Sequence, residues 1–306
     1  MKSSSEYKVL GNSPITNWVF GLFATHNSGR DFRLSAKGVE LKKGEDVMYN
    51  QVAYSYVNAD LKAEFVIKHI KRNVPAHCQK MLIYVLLRGN EQGWKNNIAT
   101  FTLDDFIEFK GEIPTATTRD VARRQFKEAM SVLYEQSLSL TVKSKRSSKK
   151  IDSFGKTRMI SSYVCRTGNC SVEFPNQIIQ AFSMYFQLFP TWCGSLKSQK
   201  SFALATYVFY RIKMAKTYNG KVKLQIKDLL CYMGMAYEKE QVANRRYKQL
   251  IITPFLKSIS DLEMTSGETL TFDISSYNTI DEFLNGSVTV HYEKKIADYY
   301  RRISDN

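Results

Sequence analysis

An α+β chain in which one small module is used twice is the fold class this sequence predicts, and three observations carry the prediction. A basic helical stretch, Val121-Ala122-Arg123-Arg124-Gln125-Phe126-Lys127, returns as Val242-Ala243-Asn244-Arg245-Arg246-Tyr247-Lys248, with Val, Ala, one Arg, an aromatic residue and Lys in register. Upstream of each copy a strand-like piece runs into a helix, Phe101-Thr102-Leu103-Asp104-Asp105-Phe106-Ile107 before the first and Leu224-Gln225-Ile226-Lys227-Asp228-Leu229-Leu230 before the second. Gln79-Lys80 and Gln199-Lys200 each begin a long apolar helical run further upstream. Downstream, each copy leads into hairpin-like strands. Helix, strand, helix, basic helix, hairpin is the order of a winged helix. The expected architecture is therefore two tandem winged-helix domains related by an internal repeat, with an N-terminal arm over residues 1–55, a first domain over 56–172 and a second over 173–306.

The 306 residues give each domain enough chain to bury its own core, and 43% hydrophobic with 13% aromatic content argues against wholesale disorder. Lys and Arg number 44 against 29 Asp and Glu, a formal charge of +15. Such a field attracts polyanions, so nucleic acid is the leading partner, ahead of an anionic membrane surface. No apolar run approaches the roughly 20 residues of a membrane span. The first residues are polar, and the apolar patch over 18–24 has no signal-peptide cleavage site, so a cytoplasmic protein is expected. Five cysteines, an odd number scattered at 78, 165, 170, 193 and 231, do not have the pattern of a disulfide framework.

Along the chain, residues 11–14 and 26–30 read as turns, and 32–41 alternates partly before a Lys42-Lys43-Gly44 break. Residues 56–71 favour a helix, with Leu61, Phe65, Ile67 and Ile70 apolar among Lys62, Lys68 and Lys71. Pro75 suits the first position of a core helix through Met81, Leu82, Val85 and Leu86 that stops at Gly89-Asn90. A short strand over 98–101 follows, Thr102 caps a helix over 103–109, and Gly111 ends it. Asp104 and Asp105 point about 100° apart on that helix and read as dipole partners rather than a metal pair.

The organising stretch runs over 118–140. Thr118 is its expected N-cap, and Ala122, Phe126, Ala129, Met130 and Leu133 share one arc, with Arg123, Arg124 and Lys127 beside and opposite it. Leu138-Ser139-Leu140-Thr141-Val142 alternates, residues 159–164 are its expected return strand, and Lys143-Ser144-Lys145-Arg146-Ser147-Ser148-Lys149-Lys150 between them is the expected wing tip. Cys165 and Cys170 flank a turn at Arg166-Thr167-Gly168-Asn169. A helix is expected over 175–189, with Trp192 over the core beyond it. A buried helix over 202–214, a strand over 221–224 and a helix over 226–233 come next. The second basic helix spans 237–253, where Pro254 must end or kink it. Strands over 269–274 and 287–291 and a helical tail over 294–303 complete the chain.

The candidate DNA-binding residues are Arg245, Arg246, Lys248 and Lys239 on the second basic helix and Arg119, Arg123, Arg124 and Lys127 on the first. Lys145, Arg146, Lys149 and Lys150 join them at the wing. Arg pairs bidentately with guanine, and Lys more often anchors phosphate. None of the four histidines has metal-ligand spacing, and neither a phosphate loop nor a dinucleotide fingerprint occurs. No catalytic residue, metal or cofactor is expected. The alternatives are a winged-helix transcriptional repressor with no origin role, and a metal-dependent primase, polymerase or nuclease with an unrecognised carboxylate site.

Element order, together with Arg245-Arg246-Tyr247-Lys248 leading to Pro254-Phe255-Leu256 and Ile259-Ser260-Asp261-Leu262, resembles the replication initiators of iteron-containing plasmids over roughly residues 60–290. The resemblance implies a protein that binds repeated origin sites on double-stranded DNA, its C-terminal winged helix reading bases in the major groove. The N-terminal one would touch backbone or mediate dimerisation. It further implies repression of the protein's own promoter as a homodimer, origin opening as a monomer, recruitment of a host replication helicase or initiator, and no catalysis. The first 55 residues are longer and less helical than that pattern, and the first basic helix is as charged as the second.

Overall fold

The computed structural model describes residues 7–11, 19–20, 40–46, 51–57, 61–68, 77–142, 154–183, 186–215, 218–235, 244–267 and 269–304. The chain forms two compact units, one of residues 9–186 and one of residues 1–8 with 187–306.

The strands β1 (Tyr7–Gly11), β2 (Glu40–Asp46), β3 (Gln51–Val57) and β4 (Leu61–Lys68) precede the first long helix. Where it is described, at 56–57 and 61–68, the expected helix over 56–71 is thus strand. The set Leu61, Ala63, Phe65 and Ile67 alternates strictly, and the i, i+4 pair Leu61 and Phe65 satisfies a helical wheel only by coincidence of the two periods. The expected break at Lys42-Lys43-Gly44 lies inside β2, paired with Ala53, Tyr54 and Ser55.

Helix α1 (His77–Glu91) buries ten of its residues. It runs past Gly89, whose missing side chain leaves room for an indole: a Cβ there would lie 2.3 Å from the Trp94 ring. Trp94 Nε1 donates to Asn90 Oδ1 at 2.7 Å, closing the helix end. Strand β5 (Ile98–Thr102) then enters α2 (Leu103–Phe109), where Thr102 and Asp105 form a reciprocal capping box. Helix α3 (Ala116–Glu135) buries the expected arc of Ala122, Phe126, Ala129, Met130 and Leu133. Its N-cap is Thr115, and Thr118 is the returning partner of that box, so the helix starts earlier than expected.

The chain then leaves the module. Strands β6 (Ser137–Val142) and β7 (Phe154–Arg158) complete an antiparallel sheet of order β2-β3-β4-β6-β7. In register, Leu138, Leu140 and Val142 of β6 pair with Phe65, Ala63 and Leu61 of β4. The wing itself is the hairpin β8 (Ser162–Arg166) and β9 (Asn169–Glu173), in a sheet of order β5-β9-β8. The expected pairing of 138–142 with 159–164 is therefore corrected, and the basic run over 143–150 is flanked by strands of the other sheet. Helix α4 (Asn176–Ser183) stops short of the expected 189, and β10 (Phe186–Pro190) takes its place. Pro190 disfavours helical dihedrals at Phe189, and the Leu188 N–H donates to the Tyr300 hydroxyl at 2.8 Å rather than to a carbonyl one turn back.

In the second unit, α5 (Gln199–Lys213) is buried along ten residues, and Tyr207 stacks on Tyr232 at 4.6 Å, a core role rather than a base platform. Trp192 meets Phe209 edge-on at 6.1 Å. Strand β11 (Lys221–Gln225) and α6 (Ile226–Tyr232) follow, then α7 (Asn244–Tyr247), a π turn (Lys248–Ile252) and α8 (Thr253–Ser266). Strand β12 (Leu270–Ile274), α9 (Ile280–Asn285), β13 (Ser287–Tyr292) and α10 (Lys294–Ser304) close the chain, with sheet order β11-β13-β12.

The two units repeat one topology. The order α1-β5-α2-α3-β8-β9 with sheet β5-β9-β8 matches α5-β11-α6, the α7-to-α8 helix, β12 and β13 with sheet β11-β13-β12. Even single backbone bonds repeat. Leu103 N–H donates to Gly168 O at 2.8 Å, as Ile226 N–H does to Gly286 O at 3.1 Å. The second helix ends in each case on a Schellman turn around a left-handed glycine, Gly111 or Gly234, with Glu112 bonded to Ile107 and Met235 to Leu230. What differs is the inserted β6-β7 pair in the first copy and α9 inside the wing of the second. The winged-helix repeat is thereby shown as tandem copies within an α+β chain.

Candidate nucleic-acid interface

The third helix of each copy carries the candidate residues, and its aromatic position fixes their direction. Phe126 is 2% exposed and Tyr247 fully buried, so the lysine that follows each is turned outward. On α3 the four expected cations divide into two classes. Arg119 Nε and Nη2 donate to both carboxylate oxygens of Asp104 on α2, each at 2.7 Å. That fork holds the Asp104 carboxyl below its ordinary value and the Arg119 guanidinium above its own. Arg123 bonds Asp120 one turn back at 2.6 Å. Arg124 and Lys127 are exposed and have no carboxylate partner among the described residues. An arginine whose fork is already filled has fewer donors for a phosphate, so the latter two are the available cations.

Nearby, the wing turn has Thr167 at φ 49° and Gly168 at φ 87°, the two positive values a type I′ hairpin requires. Arg166 and Asn169 flank it, both exposed. Arg166 was not among the expected residues, because the wing was placed at 143–150. Lys145, Arg146, Lys149 and Lys150 lie outside the described residues.

On the second copy Arg246 and Lys248 are exposed, without a carboxylate partner among the described residues. The backbone of Arg245 belongs to α7, and Lys239 lies outside the described residues. Helical dihedrals continue through Ile252 and Thr253, so Pro254 does not end the helix. The π turn accommodates it: Thr253 N–H reaches back to Lys248 O, and Pro254 occupies the first turn of α8, where no N–H is needed. Gln249 and the 48% exposed Leu250 share this outward stretch. A Gln–adenine pair and an aliphatic contact with a thymine methyl are the chemistry these two side chains add. Their signal in the sequence was slight, since an exposed leucine in a helix reads as core.

Behind each interface lies a repeated polar pattern that the basic motif overshadowed, Tyr84-Val85 with Arg88 and Asp105, and Tyr207-Val208 with Arg211 and Asp228. In the second copy Arg211 donates to the Tyr207 hydroxyl at 3.0 Å and stands 4.0 Å from Asp228. In the first, Arg88 turns instead to Glu91 at 2.8 Å. Among the described residues no group of three or more His, Cys, Asp or Glu is placed to hold a metal ion. No helix among them is long and apolar enough to cross a membrane.

No family model matches this chain, and no curated protein matches it. Solved structures of domains 2 and 3 of RctB align with this chain. A selenomethionine crystal structure of those domains aligns over 89% of this chain and 97% of its own, at 10% identity and a TM-score of 0.45. A second crystal structure of the same domains aligns over 92% and 99%, at 10% identity and a TM-score of 0.42.

Proposed function

We propose that this chain is a sequence-specific double-stranded DNA-binding protein that initiates replication of a plasmid by binding repeated origin sites in the cytoplasm. The observation that carries the reading is the duplicated winged helix whose third helix, in both copies, turns outward exposed cations that have no carboxylate partner among the described residues, Arg124 and Lys127 in one and Arg246 and Lys248 in the other. The formal charge of +15 supports it by drawing the protein to a polyanion. The sequence resemblance to iteron-binding initiators supplies the finer part: repression of its own promoter as a homodimer and a host replication helicase or initiator as partner. In this reading the protein binds and remodels DNA without catalysis of its own.

Nuclease footprinting on the DNA that flanks the coding region tests the reading. Protected repeats spaced by about one helical turn beside an AT-rich stretch are expected. A single protected palindrome within a promoter would instead assign a repressor with no origin role. Metal-dependent cleavage or synthesis by the purified protein would assign an enzyme.

A further inference from the structure

We propose that Cys165 and Cys170 are a reactive dithiol, a modification site at which a low-molecular-weight disulfide forms a reversible cross-strand disulfide in the first wing. The two residues face each other across the β8–β9 hairpin, and their sulfurs are 3.1 Å apart. In a two-residue hairpin the pair flanking the turn, here Arg166 and Asn169, is the hydrogen-bonded one. Cys165 and Cys170 are therefore the next, non-hydrogen-bonded pair, with Cα atoms about 4.5 Å apart. That separation is at the lower end of the roughly 4.4–6.8 Å a disulfide spans, so the bridge can form without moving the strands.

The two sulfurs have unlike roles. Cys165 is half-buried, whereas Cys170 is 3% exposed and donates its S–H to the Cys165 sulfur. Burial, and then that hydrogen bond, push the Cys170 thiol well above its ordinary value. Cys165, the more exposed of the two, is the sulfur that meets an oxidant first. Cys170 also lines an open cleft of about 380 Å³ with Arg88, Gln92, Thr102, Asp105 and Asn169. The remaining cysteines, Cys78, Cys193 and Cys231, are at most 4% exposed.

The exchange balances in two steps. Cys165 thiolate attacks one sulfur of a small disulfide, forming a mixed disulfide and expelling one small thiolate, which takes up a proton. Cys170 loses its proton to solvent and attacks Cys165 Sγ, and the second small thiolate leaves and is protonated. The protein dithiol has given two electrons and two protons to the small disulfide, which ends as two thiols. The reaction is thiol–disulfide exchange, so excess small thiol runs it backwards and returns the bridge to the dithiol. The site stands on the hairpin's geometry and does not depend on the DNA-binding reading.

The test exposes the full-length native protein to mixtures of oxidised and reduced glutathione, quenches with a thiol-alkylating reagent, and maps the five cysteines by peptide mass spectrometry. Loss of two thiols of the five is expected, with one peptide joining Cys165 to Cys170 and lighter by two hydrogens, restored by excess reduced glutathione. Cys170→Ser should trap glutathione on Cys165, and Cys165→Ser should leave Cys170 unmodified. Two free thiols at 165 and 170 in a large excess of oxidised glutathione would overturn the proposal. So would faster reaction at Cys78, Cys193 or Cys231, or a Cys165→Ser variant that takes up glutathione as readily as the parent.

Discussion

Replacing Arg124 and Lys127 together by alanine removes two exposed cations from α3 and leaves its buried arc of Ala122, Phe126, Ala129, Met130 and Leu133 untouched. If each cation meets one phosphate, the slope of log affinity against log salt falls by about 0.9 per contact, or about 1.8 for the pair. Between 200 and 50 mM salt, the parent's advantage over the double variant then grows by about 12-fold. Fluorescence anisotropy of a labelled duplex, titrated at four salt concentrations, reads that slope directly. Arg119→Ala is the informative companion, because both of its donors in the fork are held by Asp104. It should change the slope by less than about half a unit. Surface substitutions of this kind cost no more than about 0.5 kcal/mol in stability, so unfolding does not confuse the result. A double variant with the parent's slope, or an Arg119→Ala variant that flattens it as strongly as the pair, would refute the division of cations on α3.

Three further outcomes follow from the packing. Phe126→Ala should cost about 3–5 kcal/mol in denaturant unfolding, because the ring is 2% exposed and meets Phe101 and Tyr163 edge-on; a loss under 1 kcal/mol would contradict its anchoring role. Gly89→Ala drives a methyl into the Trp94 ring and should destabilise by about 1–3 kcal/mol, and a neutral result in the same assay would deny that contact. His77 has its folded-state pKa lowered, chiefly by burial, with Glu128 opposing. The unfolded chain therefore binds the proton more readily, so this group's contribution is full above about pH 6.5 and declines as pH falls below it toward the lowered value. Unfolding free energies at pH 7.5 and 5.5 should differ less in His77→Asn than in the parent, and equal differences would rule the contribution out.

The parts of the fold legible in the sequence were those fixed by local chemistry. The Thr102 cap, the apolar arc of α3 and the glycine ending each second helix are all short-range devices. Pairing partners were illegible, because a period-two pattern states which face is buried and not which strand lies alongside. Leu138-Ser139-Leu140 alternates equally well for a wing or for the sheet it joins, and it pairs with β4. The residues of β4 were read as helical, so the competing partner was hidden. At the candidate site the buried aromatic and outward lysine of each repeat were visible, whereas the neutralising role of Asp104 was not. That ion pair joins two helices whose approach no linear pattern states. The repeat of Tyr84, Arg88 and Asp105 by Tyr207, Arg211 and Asp228 was present in the sequence throughout, obscured by the louder charge of the basic helices.

Lysine acetylation of the free protein and of its complex with a footprinted duplex tests most directly whether both copies turn the same helix to DNA. Lys127 and Lys248, equivalent positions after the buried aromatic residue, should each lose most of their reactivity in one and the same complex. Undiminished acetylation of both at saturating DNA would contradict it.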